Sequence, residues 1–96
     1  MFVTNNDATK FPNLKLGEDN QENFKFDRIL CDVPCSGDGT LRKNQLLWKT
    51  FHAHLGHSLH ALQRDILIRG LGMLKKGGKM TYSTCSFNPI ENEAVV

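Results

Sequence analysis

The chain has 96 residues, enough for one small domain and too few for a two-domain enzyme. Hydrophobic residues at 40% and charged residues at 23% are ordinary for a packed protein and exclude a fully disordered one. Twelve Lys and Arg against ten Asp and Glu leave a net charge of +2, far from the excess of a domain that coats nucleic acid; only the part from Asp27 onward is mildly basic.

Phe2 to Asn6, with aromatic and β-branched residues ending in turn formers, reads as a short strand with Asp7 at its tip. From Ala8 to Asn23 no period of 2 or 3.6 is sustained, so a long loop is expected, loosest around Leu16 to Glu22. Phe26 to Asp32 is a second strand, mostly apolar, as in a parallel sheet covered on both faces. Pro34 to Thr40 is dense in structure breakers and must turn tightly at that strand's carboxyl end, where open α/β sheets bind ligands.

A short helix is expected over Asn44 to Phe51, then a longer one from about His54 to Lys75, with Leu55, Leu59, Leu62, Ile66 and Met73 as its apolar stripe. Lys75, Lys76 and Gly77-Gly78 suit its end. Lys79 to Ser83 is a third strand, and Asn88-Pro89-Ile90-Glu91 supplies an N-cap, a first-turn Pro and an acid for a further helix. Strands alternating with helices predict an α/β fold with a parallel sheet. The opening residues read as a strand and Glu93 to Val96 as mid-helix, so the sequence reads as part of a longer chain.

Cys31, Cys35 and Cys85 cannot pair evenly, and no signal-peptide pattern opens the chain; an intracellular, reducing setting is expected. No apolar run nears the ~18 residues that cross a bilayer, so no membrane partner is expected. Cys31, inside its strand, reads as a small buried hydrophobe. Cys35 and Cys85 follow two strand ends in polar, turn-rich contexts. If those strands are neighbours, both thiols face one cleft, where a thiolate of lowered pKa does covalent chemistry.

Asp32-Val33-Pro34-Cys35-Ser36-Gly37-Asp38-Gly39-Thr40 and Tyr82-Ser83-Thr84-Cys85-Ser86, followed by Asn88-Pro89-Ile90-Glu91-Asn92-Glu93, resemble the paired motifs of the Sun-domain (NSUN-type) RNA cytosine-5 methyltransferases. Arg42-Lys43-Asn44 and the position of Trp48 make the chain most similar to the eukaryotic branch that modifies tRNA. The resemblance implies a partial Rossmann-like fold, residues 1–96 being a C-terminal part of the catalytic domain. It also implies methyl transfer from S-adenosyl-L-methionine to carbon 5 of cytosine in RNA, and nuclear or nucleolar residence. By that likeness Cys85 adds to carbon 6 of the ring and Cys35 assists the final elimination. Asp32, kept protonated by burial, assists at N3 and lies by the cofactor, and Asp7 binds the cofactor's adenine amino group. The family's Gly-rich cofactor loop falls upstream of residue 1, so the chain alone is expected to bind the cofactor weakly.

Blander readings stand beside these. Asp32 and Asp7 also suit turn caps; Arg42, Lys43 and Lys49 suit RNA phosphates or a solvated face; Trp48 suits the core better than a base-stacking surface. His52, His54, His57 and His60 lack zinc-site spacing, and no metal is expected. A DNA cytosine-5 methyltransferase, a non-catalytic RNA-binding or interaction segment, and a thiol redox or zinc protein remain as alternatives. Nothing in the residues speaks to oligomeric state.

Overall fold

The computed structural model describes residues 1–17 and 22–96, so the loop expected around Leu16 to Glu22 falls mostly outside the described residues. A 3₁₀ turn at Ala8–Lys10 is followed by strand β1 (Phe26–Asp32), a second 3₁₀ turn at Asp38–Thr40, helix α1 (Leu47–Thr50), helix α2 (His54–Met73) and strand β2 (Leu74–Ser83). β1 and β2 pair in parallel, as the strand and helix order predicts, and α2 is the crossover between them. The chain is thus α/β. Its small core gathers Cys31 and Val33 from β1 and its exit, Leu67 and Met73 from α2, and Val95. No helix among the described residues is long and apolar enough to cross a membrane.

Five expectations are corrected. Residues 2–6 are not a strand: they pair with no strand among the described residues, and Phe2 and Val3 stand fully or mostly exposed. β-propensity alone makes no strand without a partner to complete the ladder. The long helix stops at Met73, not Lys75, because Leu74 already has extended angles (φ −84°, ψ 139°) and lies opposite Phe26. Residues 75 to 78 then stand opposite Asp27 alone, so Lys-Lys-Gly-Gly forms a bulge in β2 instead of a helix cap.

The face of α2 that packs is also rotated from the predicted stripe. Its buried residues are Gly56, Gln63, Leu67 and Met73, while Leu62 is exposed. Bonds from Gln63 to Pro34 O at the β1 exit and to the Glu91 carboxylate beyond β2 fix this rotation, and an apolar stripe cannot report them. Lastly, residues 89–95 form consecutive turns and not a helix. The expected cap is present, with Ile90 N–H donating to Asn88 Oδ1 at 3.1 Å. Beyond it the bonds run Asn92 to Pro89, Ala94 to Pro89, Val95 to Asn92 and Val96 to Asn92, mixing spacings of three, four and five. α1 is likewise shorter than the Asn44 to Phe51 expected, its approach being made of turns.

Candidate active site

Parallel pairing sends both strands out of the sheet on the same edge. The last ladder pair is Asp32 with Ser83, and Val33 N–H adds one more bond to Ser83 O at 3.2 Å. Two loops leave from there side by side. The first bends at Gly37, whose φ of 74° only glycine adopts without strain. It then approaches the second loop so closely that Gly39 N–H bonds Cys85 O at 3.0 Å. A Cβ at Gly39 would lie 2.8 Å from that carbonyl oxygen, so the loops touch only because it is absent. Asp38 reinforces the contact by accepting Phe87 N–H at 3.0 Å.

The outcome is that Cys35 Sγ and Cys85 Sγ, fifty residues apart in the chain, lie 3.1 Å from each other, and Cys85 N–H also points at Cys35 Sγ at 3.3 Å. The convergence expected of these two thiols is therefore present. Cys31 stays buried in its strand as a core residue, and all three cysteines are free. The electrostatics differ from expectation. The hydrogen bond with Cys35 pushes the Cys85 thiol above its ordinary value, helped by partial burial and by the charges of Cys35 and Asp32. Cys85 thus keeps its proton longer than an isolated thiol, and Cys35 is the nearest group with which to share it.

Asp32 sits at the strand tip as predicted, but it is exposed and not buried. Its Oδ1 accepts the Ser83 hydroxyl at 2.9 Å, so the ladder continues through side chains. Asp7 caps the first 3₁₀ turn instead of ending a strand. Its Oδ1 accepts Thr9 Oγ1–H at 2.7 Å and Thr9 N–H at 2.9 Å, and those two bonds hold its carboxyl below the usual range. Ala8, next to it, and Asp32 line the same groove of about 470 Å³ between β1 and α2, whose walls include Ile29, Cys31 and Met73.

Arg42 and Lys43 follow the cysteine loop and are exposed, with no side-chain hydrogen bond or ion pair among the described residues. Trp48, expected in the core, is 70% exposed on the short helix α1, which is too brief to bury it. His54 and His57 have ring centroids 6.2 Å apart, and His60 Nδ1 lies 2.8 Å from Ile90 O. No group of three or more His, Cys, Asp or Glu among the described residues is arranged to hold a metal ion.

Three site residues escape the sequence reading. Ser36, Gln63 and Glu91 are buried polar side chains, the last two fully, and they join both cysteine loops to α2. The motif Asn-Pro-Ile-Glu offers only a helix-capping role for Glu91, and Gln63 gives no signal at all.

Comparison with known proteins agrees with this architecture. The chain is 59% identical over its whole length to a multisite-specific tRNA:(cytosine-C(5))-methyltransferase of Saccharomyces cerevisiae, covering 14% of that protein. It is 52% identical, again over its whole length, to a tRNA (cytosine(34)-C(5))-methyltransferase of Drosophila melanogaster, covering 13% of it. It is also 41% identical, over 73% of its length, to ribosomal RNA small subunit methyltransferase F of Escherichia coli, of which the match covers 15%. The chain thus spans about one-seventh of the length of these relatives. The family described as 16S rRNA methyltransferase RsmB/F matches residues 1–96 in full, and the chain belongs to that methyltransferase family.

Proposed function

We propose that this chain is the part of an RNA cytosine-5 methyltransferase domain that carries both reacting thiols, with tRNA as the substrate. The observation that supports it most is the approach of Cys35 Sγ and Cys85 Sγ to 3.1 Å at the carboxyl ends of adjacent parallel strands. Carbon 5 of cytosine is a weak nucleophile. Addition of Cys85 sulfur to carbon 6 turns the ring into an enamine that is nucleophilic at carbon 5. S-adenosyl-L-methionine, when bound, would supply the methyl group for that carbon. Once methylated, carbon 5 must lose its proton before the carbon–sulfur bond breaks, and Cys35 is placed to assist that loss. Asp32, whose Oδ1 accepts the Ser83 hydroxyl at the strand tip, is the residue we assign to hydrogen-bonding the ring near N3.

The residues present fit one part of the cofactor. An amino group needs an acceptor, and Asp7 keeps Oδ2 unbonded among the described residues while Thr9 occupies Oδ1. Asp7 and Asp32 are the residues we assign to it. Arg42 and Lys43 are assigned to RNA phosphates, and the target base must leave its stack, since carbon 6 is unreachable inside a helix. By family likeness alone, we place the protein in the nucleus or nucleolus.

The test is covalent trapping by the full-length protein. RNA carrying 5-fluorocytidine at the target blocks elimination, so a denaturation-resistant adduct forms. It is expected to vanish in Cys85→Ala; on ordinary RNA, Cys35→Ala is expected to accumulate adduct. Adduct undiminished in Cys85→Ala would overturn the assignment, and its loss in Cys35→Ala alone would give the nucleophile to the other loop, as in DNA cytosine-5 methyltransferases.

A further inference from the structure

Glu91 is completely buried, and both its carboxylate oxygens are fully engaged. Oε1 accepts Ser36 N–H at 2.7 Å and Gln63 Nε2–H at 3.0 Å. Oε2 accepts the hydroxyls of Ser36 at 2.5 Å and Ser86 at 2.7 Å. Ser36 directly follows Cys35, and Ser86 directly follows Cys85. One oxygen therefore holds the residue after each thiol, from loops that belong to different strands.

The surroundings fix Glu91 in turn. Tyr82 hydroxyl donates to its backbone carbonyl at 2.6 Å. On the helix side, a Cβ at Gly56 would come within 3.0 Å of Oε2. Gln63 Nε2 also donates to Pro34 O at 3.0 Å, the residue before Cys35. Both of its partners are acceptors, so the amide has one permitted orientation, and its Oε1 is buried without a partner as a result. Burial is the largest single influence on the Glu91 carboxyl and opposes its charge. The bonds from Ser36, Ser86 and Gln63 together outweigh burial and hold the group below its ordinary value. It is therefore an anion at neutral pH and acts purely as an acceptor.

We propose that Glu91 is a positioning residue: a buried carboxylate that receives Ser36 and Ser86 together and so sets the separation of Cys35 and Cys85. It touches no substrate. Its kinetic consequence rests on the methyltransferase reading above, since a thiol pair serving successive steps on one ring must be held to about half an ångström. Its geometric consequence does not.

The experiment compares Glu91→Gln with wild type in the full-length protein by two independent readouts. In the first, a diazenedicarboxamide oxidant takes two electrons and two protons from the thiol pair, leaving a Cys35–Cys85 disulfide and the reduced hydrazine. The rate of that closure reports the approach of the sulfurs without RNA or cofactor. In the second, RNA methylation is resolved into kcat and KM. Glu91→Gln keeps the shape but removes the charge from all four acceptances and puts an NH2 group where two of them were. Disulfide closure and kcat are each expected to fall about tenfold, with KM for RNA within about threefold of wild type. Ser36→Ala, which keeps Glu91 and deletes one bond, is expected to give a smaller loss in the same direction, and it decides the matter if Glu91→Gln does not fold. Closure at the wild-type rate overturns the proposal, as does a loss carried wholly by KM. Slowed closure in the variant beside absent methylation in the wild type keeps the clamp and removes the methyltransferase reading.

Discussion

Beyond the carboxyl ends of β1 and β2, a cluster of polar groups around Glu91 is buried and shared among several partners; at the opposite ends the polar groups are exposed and paired singly. Around Glu91, four donors from three segments converge on one carboxylate. At the other end, Lys75 meets Asp27 at 3.0 Å with side chains 48% and 72% exposed, and the Lys25 ammonium reaches the Gly72 carbonyl across the surface. An exposed pair of the first kind contributes ~0.2 to 1 kcal/mol, whereas a hydrogen bond to a buried charge contributes ~1.5 to 3. The register follows the same division. It is unbroken from Arg28 with Lys79 to Asp32 with Ser83, and it slips between Phe26 and Arg28. Order is concentrated where the thiols sit, and the far end tolerates a bulge.

Three substitutions test that contrast. The largest effect is expected from Gly39→Ala, whose new Cβ would press on the Cys85 carbonyl oxygen from 2.8 Å. The loops must part, at a cost of about 1 to 3 kcal/mol in urea unfolding, and trapping of 5-fluorocytidine RNA should fall with it. Next is Tyr82, whose hydroxyl is pushed up to about 12 by burial first, then by the charges of Cys31, Glu91 and Cys35. The folded protein binds this proton more tightly than the unfolded one, so the contribution is complete below pH 10 and is lost between pH 10 and 12. Tyr82→Phe should cost about 1 kcal/mol at neutral pH through the lost bond to Glu91 O and should flatten that alkaline loss. Thermal midpoints across that range measure it.

The smallest effect is expected at the far end. Lys75→Ala should change unfolding free energy by under about 1 kcal/mol, and by less still in high salt. A cost equal to that of Gly39→Ala would break the comparison between the two ends.

Much of the site is legible in the residues because turn chemistry and strand ends are local. Pro34, Gly37 and Gly39 mark the loop after β1, Thr84 to Ser86 mark the loop after β2, and parallel order brings the two together. What stays hidden is non-local. Glu91 and Gln63 are residue types that normally face water, and only the three-dimensional meeting of Ser36, Ser86 and Pro34 satisfies them inside. The end of α2 is masked because Lys-Lys-Gly-Gly suits a helix terminus and a bulged strand equally well, and pairing with Phe26 decides between them. Asp32 illustrates the converse. Its place at the strand tip is readable, but the burial expected of it depends on what covers that edge, and within this chain it is open.

The pair Asp32 and Ser83 serves as a zero mark for a ruler. Cys35 lies three backbone links beyond it on one tail and Cys85 two beyond on the other, so each sulfur's reach is a count from a common origin. An insertion in the turns at 41–46 leaves both counts intact, whereas one residue added or removed between the mark and either thiol changes a single count. Length drift is therefore tolerable in the outer turns and intolerable in those two short tails.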